Sequence, residues 1–307
     1  MKRLTALFSA IVMLAGFALA NDVQVYSVDN SDGKITPKTI EAAFANAGFY
    51  ISDNRDMNTP FTKQFGETDF DIYNLFTLYH VDIVHKLAPE YPTIGLFAPM
   101  SMSIYTRKGS KTIHVASLTP AAMAKITGIP ADNAELKRLG ELVESALKAA
   151  LPGGAFETFA YEVQKTDKEL VSSFSLALDP ENWQDGKDEF QMLFEGELKP
   201  NGFVMAGFTD VNFDFKKAGD NTFDFYDTES VCKLPVIYSV AKTRPEAGAF
   251  APCALYMYKK AGDDTMHIAF PNVYNWMSSL SIEDQEAIDA LEDAQERMVN
   301  ILSTFTE

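Results

Sequence analysis

The side chains with the clearest chemical potential in this chain are its histidines and cysteines, because imidazole and thiol groups bind metals and act as acids, bases or nucleophiles. The sequence contains four histidines and two cysteines. Two of the histidines, His114 and His267, lie 153 residues apart in similar surroundings. A histidine that recurs in this way could bind a ligand or a metal in each half, or could be a structural residue hydrogen-bonded across a strand pair.

Other catalytic signatures are missing from the sequence. It has no phosphate-binding loop, no dinucleotide fingerprint, no Gly-x-Ser-x-Gly elbow and no CxxCH haem attachment site. His80 and His85 are five residues apart, which is a poor spacing for a shared metal on a helix. The sequence therefore specifies no cofactor or metal, and it favours a binding role over an enzymatic one.

The two histidines belong to an internal repeat. The segment 95–117 reads GLFAPMSMSIYTRKGSKTIHVAS, and 248–270 reads GAFAPCALYMYKKAGDDTMHIAF, with nine of 23 positions identical and no gap. Shorter matches flank it at the same offset, such as FDIY at 70–73 and FDFY at 223–226. These matches predict two tandem copies of one fold.

Each repeated segment has the pattern of a β-hairpin. Apolar residues alternate along 100–107, and Gly109 supplies the positive φ that a tight turn needs. The alternation requires a loop with an even number of residues, and Lys108-Gly109 is the simplest choice. That register places His114 opposite Ser103 and beside Tyr105. It likewise places His267 opposite Tyr256 and beside Tyr258, so these six residues are the predicted ligand-binding set.

The elements around the hairpins predict an α+β fold. We expect residues 21–152 and 153–307 to form two domains, each a two-layer sandwich of a mainly antiparallel sheet with helices on one face. Residues 54–68 read as a polar loop, and 134–151 read as an amphipathic helix. We expect 156–163 to be the first strand of the second copy, and 165–187 to be an extra polar segment. The two copies should pack around a pseudo-twofold axis, as a monomer or within a homodimer.

The first twenty residues have the pattern of a secretory signal peptide. Lys2 and Arg3 precede an apolar stretch, and Ala18-Leu19-Ala20 is a small-x-small cleavage site. We expect cleavage after Ala20 and a soluble periplasmic protein, since no later segment is apolar enough to span a membrane.

The chain is strongly acidic. Its formal net charge is −17, and removal of Lys2 and Arg3 with the signal peptide changes it to −19. Such a surface repels nucleic acid and anionic lipid, so neither is an expected partner. A small molecule is the expected ligand.

The second copy resembles the bacterial domain-of-unknown-function 302 family. The resemblance rests on VCKLP at 231–235 and on APCALYMY at 251–258. The positions that match the family pattern are Cys232, Pro252, Cys253, Tyr258 and Gly262. The first copy keeps Pro99, Tyr105 and Gly109, with Tyr79 and Met100 in place of the two cysteines. The resemblance implies a small α+β domain, often dimeric, and it carries no established activity.

The family pattern also implies that Cys232 and Cys253 lie close together in one sheet. Because they are the only cysteines of an exported chain, we expect one disulfide within the second domain. A reduced pair that binds a metal is the alternative.

Three function classes remain open from the sequence. The first is a non-catalytic binding module for a small ligand, at the junction of the two similar domains, where pockets are favoured. The second is a thiol-redox or metal-binding protein that uses Cys232, Cys253, His114 and His267. The third is a structural or partner-binding protein.

Overall fold

The computed structural model of the protein describes residues 21–306. The signal peptide expected over residues 1–20 lies outside the described residues. The first half begins at Asn21 and ends near Leu151. Its elements are β1 (Val23–Asp29), α1 (Pro37–Asn46), β2 (Tyr50–Asp56), α2 (Asn58–Phe65), β3 (Phe70–Tyr79), α3 (Val81–Leu87), the 3-10 helix Pro92–Phe97, β4 (Met100–Arg107), β5 (Thr112–Leu118), α4 (Pro120–Thr127) and α5 (Ala134–Ala150).

The second half repeats this order of elements. A short strand, β6 (Ala155–Phe156), lies between the halves. The remaining elements are β7 (Val171–Ala177), α6 (Trp183–Leu198), β8 (Val204–Asp210), α7 (Asn212–Lys217), β9 (Phe223–Cys232), α8 (Leu234–Thr243), the 3-10 helix Pro245–Phe250, β10 (Cys253–Lys260), β11 (Thr265–Pro271), α9 (Tyr274–Ser279) and α10 (Gln285–Phe305).

The two antiparallel sheets have the same strand order. The first sheet runs β2-β3-β4-β5-β1-β6, and the second runs β8-β9-β10-β11-β7. Each strand of the second sheet therefore has its equivalent in the first, with β6 added at the edge next to β1. The internal duplication and the α+β fold predicted from the sequence are confirmed.

Local sequence explains where the main helices begin. Thr36 caps α1, because its hydroxyl accepts from the Thr39 amide at 3.2 Å while the Thr39 hydroxyl accepts from the Thr36 amide at 2.9 Å. Asn133 caps α5 by accepting from the Glu135 amide at 2.9 Å. The α5 helix contacts α1, α3 and α4. Its buried stripe comprises Leu136, Leu139, Val143, Ala146, Leu147 and Ala150.

The halves pack through the sheet faces that the helices leave uncovered. The 3-10 helix Pro245–Phe250 lies on β4 and β5, and Pro92–Phe97 lies on β10 and β11. Both faces of the central strands are therefore buried, so that even Ser103 has no exposed surface. Residues on the second face serve the contact between the halves.

Hydrogen bonds across this contact come in equivalent pairs. The Tyr73 hydroxyl donates to the Pro245 carbonyl at 3.1 Å, and the equivalent Tyr226 hydroxyl donates to the Pro92 carbonyl. At the ends of the hairpins, Arg107 donates to the Lys242 carbonyl at 3.2 Å. Its equivalent Lys260 donates to the Pro89 carbonyl at 3.0 Å. The donors of each pair of bonds are 153 residues apart, and so are the acceptors, so each half makes the same contacts with the other.

The predicted hairpin register is wrong by two residues. Tyr105 lies opposite His114 and Tyr258 opposite His267, so Ser103 and Tyr256 are not the partners of the two histidines. The loop is even in length, as the alternation required, but 108–111 holds four residues. In this turn the Ser110 amide donates to the Arg107 carbonyl at 2.9 Å, and Gly109 has a φ of +77°. The turn therefore needs four residues rather than two.

Three predictions about elements of the chain are wrong. Residues 156–163 do not start the second sheet, because only Ala155–Phe156 is a strand and it pairs with β1 of the first sheet. The first strand of the second copy is β7, which lies inside the supposed extra segment 165–187 and pairs with β11. The polar sequence of β7 hid it, since its residues are only partly buried. The predicted loop 54–68 likewise contains the end of β2 and all of α2.

No helix within residues 21–306 combines the length and the apolar character that crossing a bilayer requires.

Candidate functional site

His114 has a side-chain partner in the segment that links the halves. Its Nδ1 lies 2.8 Å from Oε1 of Glu157, and its ring stacks on Tyr105 with centroids 4.6 Å apart. The hydrogen bond from His114 holds the pKa of Glu157 below its ordinary value, although burial opposes this. His114 thus fastens the linking segment to the first sheet.

His267 has different surroundings. Its ring stacks on Tyr258 at 5.0 Å, and its Nε2 lies 3.7 Å from the Asp263 carboxylate in the same hairpin. The side chain of His267 is 41% exposed, whereas that of His114 is 17% exposed. The ligand-binding role predicted for the two histidines stays a prediction.

The other predicted ligand-binding residues lie in the contact between the halves. The Ser103 hydroxyl donates to the Pro245 carbonyl at 3.0 Å, and the side chains of Tyr105 and Tyr256 are buried. Tyr258 is partly buried and packs on Tyr226 with ring centroids 5.5 Å apart. These four residues therefore support the packing of the two sheets.

The expected disulfide is not present, because Cys232 and Cys253 are free thiols. Cys253 is the register partner of Val231, so the side chain of the next residue, Cys232, points to the opposite face of the sheet. Burial raises the pKa of Cys232 to about 11 and that of Cys253 to about 12, which keeps both as unreactive thiols. Cys232 lines a cavity between the halves, and both cysteines line a separate, apolar cavity beside α8 and α10.

The cavity that Cys232 lines lies between the two edge strands β2 and β8 and has a volume of about 180 Å³. We call it the inner cavity. Its wall is apolar at Leu75, Val204 and Pro252, and polar at Thr77 and Ser230. A cavity of about 150 Å³ can hold benzene, so the inner cavity has room for a small organic group.

A second cavity of about 340 Å³ adjoins it, and we call this the outer cavity. The two cavities share Ser52, Phe208 and Thr209, so they are neighbours along the same pair of edge strands. We call the two cavities together the junction groove. Tyr50 and Tyr79 line the outer cavity from the first half, and residues of β8 and α7 line it from the second.

Each edge strand has a β-bulge where it borders the groove. The register of β2 with β3 shifts between Ile51 and Asp53, and that of β8 with β9 shifts between Met205 and Gly207. The bulge residues Ser52 and Ala206 are equivalent, and both line the inner cavity. Bulges bend edge strands and redirect side chains, and they are frequent beside functional sites.

Arg55 joins the two edges of the groove. Its guanidinium lies 2.7 Å from the Asp53 carboxylate and donates to the Ala206 carbonyl at 3.1 Å. The groove therefore has one cation at its inner end, partly neutralised by Asp53.

Exposed apolar side chains concentrate around the groove. Seven large hydrophobic side chains are exposed in residues 21–306, and four of them surround this groove: Tyr50, Val204, Phe208 and Phe213. Exposed apolar patches of this kind mark binding surfaces more often than scattered apolar residues do.

Two of the three buried carboxyl groups of the second half, Asp227 and Glu229, lie on β9 opposite Asp210 and Phe208 of the edge strand β8. Asp227 lies 2.6 Å from Lys187, and Glu229 accepts from Gln191 at 3.2 Å while its second oxygen has no partner among the described residues. Burial raises the pKa of Glu229 to about 7, and the nearby Glu195 carboxylate adds to the rise. This pair gives the second half a pH-dependent interior.

The metal-binding alternative finds no support in the arrangement of these groups. Within residues 21–306, no cluster of three or more His, Cys, Asp and Glu side chains is placed to hold a metal ion.

Comparison with protein families agrees with the duplicated fold. A family model described as "Domain of unknown function DUF302" matches residues 27–151 and, a second time, residues 184–305. The chain belongs to the DUF302 family. One matched segment falls in each half of the structure, and the second begins after β7, so this DUF302 protein carries two copies of the domain.

A solved DUF302 structure is similar to this chain. It is the crystal structure of an uncharacterized conserved DUF302 protein from Bacillus stearothermophilus, with 18% sequence identity and a TM-score of 0.36. The match covers 44% of this chain and 98% of that chain. No curated protein matches the chain.

The sequence led us to expect a site at the junction of the halves, but it did not identify the residues that line the junction groove of this DUF302 protein. The repeated hairpins drew attention because they are alike in both copies. The groove residues differ between the copies, as Tyr50 and Val204 show, and that divergence is the signal that could have found them.

Proposed function

We propose that this protein is a non-catalytic binding protein for a small, largely apolar molecule held in the junction groove. One observation carries the proposal: a cavity of about 180 Å³ opens between two bulged edge strands, one from each half, and exposed apolar side chains surround it. The apolar wall provides affinity, while Thr77, Ser230 and Arg55 provide hydrogen bonds that orient the ligand.

The test is to fill the inner cavity without straining the backbone. A Cβ at Gly207 would lie 3.8 Å from the Ser230 Cβ, and Gly207 does not have a positive φ. Gly207→Leu therefore places a side chain in the cavity. The matched control is Gly196→Leu on α6, where a Cβ meets nothing within 4 Å.

Native mass spectrometry of protein recovered from its own host gives the readout. We expect the natural protein and Gly196→Leu to carry a small-molecule adduct, and Gly207→Leu to lose it while circular dichroism shows an unchanged fold. Failure of the natural protein to bind any small molecule, or retention of the adduct by Gly207→Leu, would contradict the proposal.

We also propose that the protein acts in the periplasm after cleavage behind Ala20. The packing of residues 21 and 22 supports a mature chain that starts at Asn21. Thr119 donates to the Asn21 carbonyl at 3.1 Å, and the Asp22 carboxylate lies 2.6 Å from Lys125. Mass spectrometry of the periplasmic fraction should find Asn21 as the first residue, and an intact Met1 in that fraction would refute this.

A further inference from the structure

The outer cavity of the junction groove has an unusual lining. Four aromatic residues are among those that line it: Tyr50, Tyr79, Phe208 and Phe213. The rings of Tyr50 and Tyr79 lie 5.2 Å apart at 54° to each other. More than half of the surface of Tyr50 and Phe213 is exposed, at 54% and 60%, although aromatic rings normally bury their faces. These exposed rings leave π faces available to a ligand.

Two carboxylates accompany the aromatic rings. Asp214 accepts a hydrogen bond from the Tyr79 hydroxyl at 3.4 Å, so that an acid of the second half meets a phenol of the first. Asp210 lies beside it and accepts from the Phe213 amide at 2.9 Å. The nine residues described as lining this cavity include no lysine or arginine. The outer cavity is therefore negative and aromatic at once.

The common fold of the two copies does not require this lining. The strand registers show that Tyr50 and Tyr79 are equivalent to Val204 and Cys232. By the same registers Phe208 is equivalent to Asn54, and Asp210 to Asp56. Asp56 and Asp210 each accept from a backbone amide in the first turn of the following helix. The helices that follow place Phe213 at the position of Thr59 and Asp214 at that of Pro60. At five of these six positions, the aromatic or acidic residue is present in one copy and replaced by a different type of residue in the other.

We propose that the outer cavity binds an organic cation, namely an ammonium group that carries apolar substituents. This inference rests on the proposed function, because it assigns the chemical class of the ligand of the same groove. An alkylated ammonium group is attracted to the faces of aromatic rings and to nearby carboxylates, and it has no strongly held water shell to lose. Its apolar body extends into the inner cavity. The acidic chain, with its formal charge of −17, raises the local concentration of such cations.

Phenyltrimethylammonium and tert-butylbenzene test this assignment, because they have the same shape and differ in charge. Ligand-observed NMR titration of the mature chain measures the binding of both. We expect phenyltrimethylammonium to bind at least about tenfold more tightly than tert-butylbenzene, since cation–π contacts and a carboxylate act only on the charged molecule.

Two variants should remove this preference. Phe213→Ala deletes one exposed ring, and Asp214→Asn keeps an acceptor for the Tyr79 hydroxyl while it deletes the charge. Each should weaken binding of the cation by about tenfold or more. The matched controls are Phe156→Ala, which removes an exposed ring at the outer edge strand β6, and Asp188→Asn, which removes an exposed charge from α6. Both controls should bind as the natural chain does.

The outcomes separate the two proposals. Equal binding of both compounds, abolished by Gly207→Leu, would overturn the cation assignment and leave apolar binding in the groove intact. No binding of phenyltrimethylammonium, or binding that Phe213→Ala and Asp214→Asn leave unchanged, would also overturn the cation assignment. If the natural protein then carried no adduct in native mass spectrometry either, the proposed function would fall with it.

Discussion

Gly95 and Gly248 show how single residues hold the two halves together. A Cβ at Gly95 would lie 2.8 Å from Cε2 of Tyr226, and one at Gly248 would lie 3.0 Å from Cδ2 of Leu75. Each glycine sits in a 3-10 helix that presses on the sheet of the other half. The repeat keeps glycine at this position because only a hydrogen fits between the backbone and the opposite sheet.

Alanine at either glycine should therefore destabilise the protein. We expect Gly95→Ala and Gly248→Ala each to lower the free energy of unfolding by about 1–3 kcal/mol, as overpacking of a close contact does. Urea unfolding measures the change. Gly196→Ala, at an open position on α6, is the control and should raise stability by about 0.5–1 kcal/mol. Unchanged stability in both interface variants would contradict the close contact.

Glu229 makes a prediction about pH. Its pKa is about 7 in the folded protein and near 4.5 in the unfolded chain, so between these values the folded state holds more protons. Stability therefore falls as pH rises from about 4.5 to about 7, and the loss is complete above that range. A shift of this size corresponds to about 3 kcal/mol.

Removal of the ionisable group should remove this loss. We expect Glu229→Gln to be more stable than the natural chain at pH 8 and to differ little from it at pH 4. Urea unfolding at both pH values is the measurement, and Glu189→Gln, exposed on α6, is the control. A Glu229→Gln variant that gains nothing at pH 8 would show that this carboxyl is not buried in its neutral form.

Among the elements, the segment between the halves is attached to both of them. The Pro-Gly-Gly stretch at 152–154 falls at the expected domain boundary, and the residues after it bind to each half. Glu157 binds His114 in the first half. Tyr161 donates to the Glu246 carboxylate at 2.7 Å, and the Gln164 amide donates to the Ser278 carbonyl at 2.8 Å.

Limited proteolysis should find this segment protected. We expect residues 155–164 to resist cleavage in the folded protein, because cleavage requires local unfolding that breaks these bonds. Tyr161→Ala should expose the segment and accelerate cleavage there, whereas Tyr50→Ala, at the groove, should not. Rapid cleavage of the natural chain within 155–164 would contradict the observed attachment.

The elements that sequence reasoning identified share strong local signals. The α5 helix has a cap and a complete apolar stripe, and the hairpins have strict alternation with a glycine turn. The strand β7 and the helix α2 lacked such signals: β7 is polar and partly exposed, and α2 is a short helix whose single fully buried residue is Phe61. Tertiary pairing with β11 and β3 forms these elements, and a single sequence does not reveal such partners.

The register of the hairpin shows a similar limit. Alternation determined which residues share a face and the parity of the loop, but not its length. A four-residue loop moved His114 from Ser103 to Tyr105. The disulfide prediction failed for a related reason, because placing two cysteines in one sheet does not decide which face each side chain takes.

In the molecule as a whole, the two copies pack together so that each half covers the sheet face that the helices of the other half leave free. The reciprocal bonds of Tyr73 and Tyr226 lie at the centre of this contact, while the edge strands β2 and β8 touch at few points, one of them the Arg55 bond to Ala206, and leave the junction groove. Equivalent positions in the groove differ between the copies, so that one end is aromatic and acidic and the other contains Arg55. The central claim is that this groove binds a small ligand.

Hydrogen–deuterium exchange tests that claim most directly, because it reports where a ligand binds. On addition of phenyltrimethylammonium, we predict slower amide exchange in the two edge strands, residues 50–56 and 204–210, and in α7. The hairpin strand 112–118, which lies away from the groove, should exchange at an unchanged rate. Protection of 112–118 with no change in 50–56 and 204–210 would place the ligand elsewhere and contradict the claim.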